Sequence, residues 1–176
     1  MPSRWDTFVP KGSDTAPITG AVRFDPNDPF ESRAGPFWYT APDMSTTDVS
    51  NGLHNSTSLS RAFWLRVQER HCNSISIVHG GLLMTLADLT MADAARDGNG
   101  DWVTVSFDSQ FVDSAKLGDL LHSTAVCTRR TGRMAFVRGV ITSVGSAEGG
   151  SEQESRQIFT FSGVFSRVGG TKPARL

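Results

Sequence analysis

The chain has 176 residues, enough for one domain with a substantial core, so it needs no metal or disulfide framework for stability. Seventeen Lys and Arg residues nearly balance eighteen Asp and Glu residues, and the net charge of −1 excludes a strong general attraction to nucleic acid or to a membrane surface. Any anionic ligand must therefore be held by a local cluster of basic side chains.

The first 57 residues are rich in Pro, Gly, Ser, Thr, Asn and Asp, and within them only Phe37-Trp38-Tyr39 has the character of a short strand. We predict that residues 1–57 form an arm that wraps around a domain at residues 58–168, with a tail at 169–176. No signal-peptide core or membrane-spanning stretch is expected. Cys72 and Cys127 lack metal-ligand or Cys-x-x-Cys spacing, which favours free thiols and a cytoplasmic location.

Five segments of the domain have the alternation or composition of strands: 60–68, 102–111, 120–128, 134–143 and 158–166. In the second of these, Val103, Val105 and Phe107 are predicted to lie on one face and Thr104 and Ser106 on the other. Residues 131–133 are predicted to turn a hairpin, and residues 145–155, which are rich in Gly, Ser and Glu, are predicted to form a loop.

One long helix is predicted from Gly80 to about Arg96, ending before the stop signal Asp97-Gly98-Asn99-Gly100. This helix is apolar on nearly all sides, so it must be covered on most of them. A flat sheet cannot do this. We therefore predict an α+β fold in which a curved antiparallel sheet wraps around the helix and a partner subunit covers what remains.

The start of this helix and its central carboxylate are candidates for an active site. The Gly80-Gly81 pair leaves free N–H groups at the partly positive helix end, where an oxyanion would be stabilised. Asp88 is an unfavourable residue inside an apolar helix, which favours an acid or base role. The alternatives are that the glycines only allow close packing and that Asp88 only hydrogen-bonds Thr85.

Helix geometry separates the two candidates. Asp88 follows Gly80 by eight residues, about 12 Å along the axis at about 1.5 Å per residue. A general base must come within about 3 Å, or one water molecule, of the reacting centre. If both residues act on one substrate, a two-fold axis must bring Asp88 of one subunit to Gly80 of another. Asp93 lies on a different side of the helix and is interpreted as structural or solvated. His71 and His79 have no common metal-ligand spacing, so no metal site is expected.

The residues also match a family pattern. The segment Asn73-x5-His79-Gly80-Gly81, with Asp88 nine residues after the histidine and Phe111-x3-Ala115-Lys116-x-Gly118-Asp119 later, resembles hotdog-fold acyl-CoA thioesterases. The resemblance is to the PaaI-like and human thioesterase superfamily member 2 type and covers about residues 36–168. It implies a hotdog fold, a homodimer or homotetramer, and hydrolysis of an acyl-CoA to the free acid and CoA, with no cofactor beyond the coenzyme A of the substrate.

The resemblance also implies residue roles. The Gly80 amide would polarise the thioester carbonyl, and Asn73 and His79 would position the thioester or a water molecule. Asp88 of the facing subunit would act as general base or as nucleophile. Thr104 would orient the water or Asp88, with Ser106 as the alternative hydroxyl.

A coenzyme A substrate carries phosphates, and four basic residues are candidates to bind them: Arg129, Arg130, Arg133 and Lys116. The alternative is that the arginines form a solvated hairpin tip. Two other functions stay open: a hotdog module that binds acyl-CoA without catalysis, and a hotdog hydratase or dehydratase. The latter lacks the Asp-x4-His pair expected on the helix.

Overall fold

The computed structural model describes residues 15–41, 61–144 and 155–169. Within them an antiparallel sheet with the strand order β1-β2-β3-β5-β6-β7-β4 wraps around one long helix. The elements are β1 (Val22–Arg23), a short α1 (Glu31–Ala34), β2 (Trp38–Thr40), β3 (Ala62–Arg66), a single 3₁₀ turn (Glu69–His71), α2 (Gly80–Ala95), β4 (Asp101–Phe111), β5 (Leu120–Arg130), β6 (Met134–Val144) and β7 (Arg156–Val168). The predicted α+β fold, with a sheet around one helix, is confirmed.

The core lies between α2 and the concave face of the sheet. In and just after β3, Phe63, Leu65 and Val67 are buried as their alternation predicts. Residues 131–133 turn the predicted hairpin between β5 and β6. The one buried hydroxyl on the inner face of the helix is satisfied, since Thr90 Oγ1 donates to the Leu86 carbonyl at 2.7 Å and lies 2.7 Å from Ser123 Oγ.

The sheet of one chain leaves part of the helix uncovered. Leu83, Leu86 and Met91 are buried, whereas Met84 is 41% exposed and Asp88 is half-buried. The apolar composition of α2 therefore exceeds what its own sheet covers, as the sequence predicted.

Strand β4 departs from simple alternation. Thr104 pairs with Phe165 and Ser106 with Val164, so Val105 is the extra residue of a β-bulge. The bulge places Thr104 and Ser106 on opposite faces. The predicted faces are wrong for this reason: Val103 and Val105 are exposed, while Thr104 and Phe107 face the helix.

The described part of the arm joins the sheet. Strands β1 and β2 extend it beyond β3, and the Phe24 ring packs on Phe63 with centroids 5.4 Å apart. The predicted strand at residues 37–39 is present at Trp38–Thr40. The proposed boundary between residues 57 and 58 and most of the predicted loop at 145–155 fall outside the described residues, so they stay predictions.

Candidate active site

The start of α2 is held by its neighbours and capped by one side chain. His79, the residue before the helix, donates its backbone N–H to the His71 carbonyl at 2.8 Å, and its ring Nδ1 accepts the Gly81 N–H at 3.0 Å. The Gly80 N–H makes no hydrogen bond to any of the described residues. The helix therefore presents one free donor at its first position.

Glycine at position 80 also has a packing role. A Cβ atom placed there would lie 3.0 Å and 3.1 Å from Cε1 and Cζ of Phe111. The Phe111 ring, which is 59% exposed, thus lies against the helix backbone beside the free N–H. The packing interpretation of Gly80 and its role as a donor are compatible, because the ring approaches the Cα side of the residue.

Asn73 organises the loop that leads to the helix. Its Oδ1 accepts the N–H groups of Ile75 at 3.1 Å and Ile77 at 3.3 Å, and its backbone N–H donates to the Ile77 carbonyl at 2.8 Å. The loop contains Ser76 with a φ of 61°. This is a structural role that explains Asn73 without a ligand. Its predicted role in positioning the thioester stays a prediction.

Asp88 and Thr104 meet across the helix and β4. Thr104 Oγ1 donates to Asp88 Oδ1 at 2.6 Å, and the β4 bulge directs Ser106 to the opposite face. The alternative partner of Asp88 is not used: Thr85 Oγ1 donates to the Gly81 carbonyl at 2.9 Å instead. One Asp88 oxygen is thus fixed by a hydroxyl, and the half-buried carboxylate faces a cavity.

Asp93 has a structural environment, as predicted. Its carboxylate accepts the Arg61 backbone N–H at 3.0 Å and lies 3.5 Å from the Arg61 Nε, with a side chain only 7% exposed. These contacts tie the second half of α2 to the start of β3. Each of the two carboxylate oxygens therefore contacts Arg61, the residue before β3.

Two cavities lie side by side between α2 and the arm. The larger, which we call the Asp88 cavity, has a volume of about 510 Å³ and is lined by Phe24, Phe30, Glu31, Met84, Thr85, Asp88, Leu89, Ala92, Arg96 and Phe107. The smaller, about 360 Å³, lies at the start of α2 and is lined by Phe30, Arg33, Ala34, Arg70, His71, His79, Gly81, Leu82 and Thr85. They share Phe30 and Thr85, so together they follow the helix from one end towards the other.

The basic residues predicted to bind phosphate lie near the two ends of α2. Arg130 donates to the carbonyls of Ala94, Ala95 and Arg96 at the carboxyl end of α2. Lys116 lies near the opposite end, bridged to Ile77 through the backbone. The helix between these two ends is about 24 Å long, so the three arginines and Lys116 lie at separate places in one chain, and the predicted binding of CoA phosphates by these residues stays a prediction. Arg129 and Arg133 are exposed.

Comparison with known proteins identifies the fold. The model of the thioesterase superfamily matches residues 76–149. The structure of the E. coli PaaI protein, from the phenylacetic acid degradation operon, is similar with a TM-score of 0.54 at 23% identity, covering 63% of this chain and 74% of that chain. This chain has the hotdog fold. The resemblance inferred from the Asn73 to Asp119 pattern is therefore confirmed.

The hotdog protein is also similar to two proteins named as thioesterases. Human acyl-coenzyme A thioesterase 13 is 34% identical over 74 residues, which are 41% of this chain and 53% of that protein. A hypothetical thioesterase of Streptococcus pneumoniae, solved with coenzyme A, is similar with a TM-score of 0.53 at 21% identity, covering 62% of this chain and 79% of that chain. It was also solved with alanine in place of an aspartate and of a threonine sixteen positions later. The chain spans about half the length of the curated relatives it matches.

Two titratable side chains beside the cavities of the hotdog protein have strongly shifted pKa values. Burial, then the carboxylates of Asp28 and Asp25, raise the pKa of Glu31 to about 7. Burial lowers the pKa of His71 to about 4. Sequence reasoning missed both. The spacing of Asp25, Asp28 and Glu31 was a visible signal for the first, but only the fold shows that this segment covers α2.

No helix in the described ranges is long and apolar enough to cross a membrane.

Proposed function

We propose that this hotdog protein hydrolyses an acyl-CoA thioester to the free acid and CoA. The observation that carries the proposal is the Asp88 carboxylate, bound by Thr104 at 2.6 Å and facing a largely apolar cavity of about 510 Å³. A carboxylate oriented by a hydroxyl beside an apolar pocket suits a reaction that activates water next to an acyl chain.

The relatives support this chemistry. The human relative is named for acyl-coenzyme A hydrolysis, and the Streptococcus pneumoniae protein was solved with coenzyme A. The aspartate and threonine replaced in that protein have the spacing of sixteen positions that separates Asp88 from Thr104 here. This spacing favours Thr104 over Ser106 as the hydroxyl that serves Asp88.

The free Gly80 N–H supplies the second element of the mechanism. As the thioester carbonyl becomes tetrahedral, its oxygen gains negative charge, and a donor fixed at a helix end stabilises that charge without reorganisation. Asp88 takes the proton of an attacking water molecule, or attacks the carbonyl itself. The leaving thiolate needs no strong acid, because thiol pKa values are near 8.5. His79 holds the first helical turn through Gly81, and Lys116 at this end of the helix is our candidate for a CoA phosphate.

We further propose that each site is shared between two subunits. Gly80 and Asp88 of one chain are about 12 Å apart along α2, too far to act on one carbonyl. Strand β4 is the last strand of the described sheet, and its side chains Val103, Val105 and Phe111 are 45%, 59% and 59% exposed, as is Met84 of α2 at 41%. An apolar edge of this kind favours pairing with a second copy, which gives a homodimer or, through a further interface, a homotetramer.

We also propose a cytoplasmic location for this activity, because Cys72 and Cys127 form no disulfide with each other and thiols stay reduced in that compartment.

The first experiment measures thiol release from acetyl, medium-chain, long-chain and aryl CoA esters. We expect Asp88→Asn to lower kcat on the order of 10³-fold, because the base is lost while its size and its bond to Thr104 are kept. Asp101→Asn, an exposed carboxylate at the start of β4, is the matched control and should behave as wild type. Near-wild-type turnover by Asp88→Asn on every ester would exclude the proposal. Tight CoA-ester binding by the wild type without turnover would favour a non-catalytic module.

The shared site has its own test. Asp88→Asn subunits, inactive through the base, are mixed with Gly80→Pro subunits, which lack the N–H donor. Hybrids should regain up to half of the wild-type sites, because one composite site then has both groups intact. Isolated hybrids with no more activity than the parent variants would contradict sharing and leave the hydrolytic chemistry itself open to the first test.

A further inference from the structure

Glu31 lines the Asp88 cavity with an incompletely hydrogen-bonded carboxyl group. Its backbone is fixed, because Asp28 Oδ1 accepts the N–H groups of Phe30 and Glu31, each at 2.8 Å. Its side-chain Oε2 is buried and makes no hydrogen bond to any residue in the described ranges. Buried polar atoms in folded proteins are nearly always hydrogen-bonded, so the Glu31 carboxyl group at the wall of this cavity is short of hydrogen-bond donors.

The rest of the cavity is suited to the body of an acyl group. Phe24, Phe30 and Phe107 contribute aromatic rings, and Leu89 and Ala92 continue the apolar wall along α2. Asp88 and Glu31 both line this space, Asp88 from α2 and Glu31 from the arm.

The local charge defines which ligand groups fit. Burial and the carboxylates of Asp28 and Asp25 raise the pKa of Glu31 to about 7, and the Arg96 guanidinium opposes them only weakly, as the smallest of the four contributions. The surroundings of Glu31 are therefore electronegative. A further carboxylate beside Glu31 would be repelled, while a hydroxyl or an ammonium group would donate a hydrogen bond to the Glu31 carboxyl group and offset its desolvation.

We propose that Glu31 contacts the distal end of the acyl group and selects substrates whose acyl chain ends in a hydrogen-bond donor, a hydroxyl or an amino group. Glu31 is a specificity residue in this proposal and takes no part in the chemistry at the thioester. The proposal rests on the thioesterase function proposed above. It assigns to the arm a role that the sheet and helix alone do not supply, since Phe24, Phe30 and Glu31 all precede the strands of the domain.

The test uses CoA esters of matched chain length that differ only at the distal end. Octanoyl-CoA is compared with its ω-hydroxy, ω-amino and ω-carboxy counterparts, and the comparison is repeated for shorter and longer chains to find the length that reaches Glu31. We expect kcat/KM for the best-fitting ω-hydroxy or ω-amino ester to exceed that of the plain ester on the order of ten-fold. The ω-carboxy ester should be the poorest of the four.

Two substitutions separate the role of Glu31 from general effects. Glu31→Leu should abolish the preference and improve turnover of the plain ester, because the cavity becomes apolar throughout. Glu31→Gln should keep a reduced preference for the hydroxyl, since its carbonyl oxygen still accepts a hydrogen bond. Glu69→Gln, at an exposed carboxylate outside both cavities, is the matched control and should keep the wild-type ranking. Thermal unfolding of each variant verifies that it is folded.

The outcomes distinguish this proposal from the function on which it rests. Equal kcat/KM for plain and ω-hydroxy esters at every length, or an unchanged preference in Glu31→Leu, would overturn the role of Glu31 while leaving the thioesterase intact. If the wild type hydrolyses no ester, the proposed function fails. In that case calorimetric binding of octanoate and ω-hydroxyoctanoate to wild type and Glu31→Leu still decides whether Glu31 recognises a distal donor.

Discussion

The two ends of α2 differ in how their free backbone groups are used. At the carboxyl end, the Arg130 guanidinium donates to the Ala94, Ala95 and Arg96 carbonyls at 3.0 Å, 3.2 Å and 3.1 Å. At the amino end, His79 caps the Gly81 N–H, and the Gly80 N–H finds no partner within the described ranges. Both ends carry partial charge, yet only the carboxyl end is neutralised by its own chain.

This difference separates stability from function along one helix. The carboxyl end, which we call the sealed end because Arg130 binds its carbonyls, contributes to folding, and those carbonyls are not available to a ligand. The amino end, which we call the open end, is a little less stable because the Gly80 N–H is unpaired, but this N–H can stabilise negative charge that develops during a reaction. The basic residues are divided in the same way, with Arg130 committed to the helix and Lys116 exposed near the open end. Substitutions at each end can therefore test whether activity and stability separate as the structure predicts.

The largest effect is expected at the open end, from Gly80→Pro. Proline is tolerated at the first helical position because the N–H it removes has no intrahelical partner. The preceding residue, His79, has φ −63° and ψ 130°, the extended conformation that a residue before proline favours. We expect a loss of kcat on the order of 10² to 10³-fold with the fold kept, measured by thiol release and circular dichroism.

Gly80→Ala is the matched control for this substitution. It keeps the N–H but brings a Cβ within 3.0 Å of the exposed Phe111 ring, which can move aside. We expect less than a ten-fold loss for Gly80→Ala. Equal losses in the two variants would show that steric displacement of Phe111, and not the donor, explains the effect, and the contrast between the helix ends would lose its functional meaning.

At the sealed end we expect Arg130→Met to lower the free energy of unfolding by about 2 kcal/mol, because three carbonyls lose charge-assisted hydrogen bonds. Chemical denaturation measures this change. KM for the CoA ester should stay within about two-fold of wild type after correction for the folded fraction. A large rise in KM with unchanged stability would return Arg130 to the phosphate-binding role predicted from the sequence. Arg133→Met, at the exposed hairpin, is the control for charge alone.

The middle of the helix should show an intermediate effect. Thr104→Val removes the hydroxyl that donates to Asp88 at 2.6 Å and keeps the size and β-branching of the residue. We expect about a ten-fold loss of kcat with little change in KM, because the carboxylate is less well oriented. Ser106→Ala, on the opposite face beyond the bulge, should keep wild-type kcat. The reverse result would assign the hydroxyl to Ser106.

Much of this architecture could be predicted from the sequence. The long apolar run and its stop signal predicted the helix from Gly80, the alternation of apolar residues predicted the strand containing Phe63, and the pattern around Asp88 indicated the fold class. The bulge at Val105 could not be predicted, because an inserted residue leaves the composition of a strand unchanged while it reverses the faces beyond it. The role of Arg130 depends on a contact with residues more than thirty positions away, which local spacing does not reveal.

The smallest effect concerns the response of stability to pH, where two residues near opposite ends of α2 oppose each other. His71, whose carbonyl accepts the His79 N–H, has its pKa lowered from 6.5 to about 4 by burial, so the unfolded chain binds its proton more readily. Its contribution to stability is complete above pH 6.5 and is lost as the pH falls towards 4. Glu31 has its pKa raised from 4.5 to about 7, so the folded chain binds its proton more readily. Its contribution is complete below pH 4.5 and is lost as the pH rises towards 7.

Between pH 4.5 and 6.5 the two contributions have opposite slopes, so the free energy of unfolding of wild type should be nearly constant with respect to these groups. Glu31→Gln removes one slope, and its stability should fall on acidification by on the order of 1 kcal/mol across that window. His71→Gln removes the other and should flatten or reverse that fall. Urea denaturation at several pH values measures both. Parallel pH profiles for wild type and Glu31→Gln would mean that Glu31 titrates normally in the fold, and the electronegative surroundings that we infer for the distal end of the acyl group would have to be abandoned.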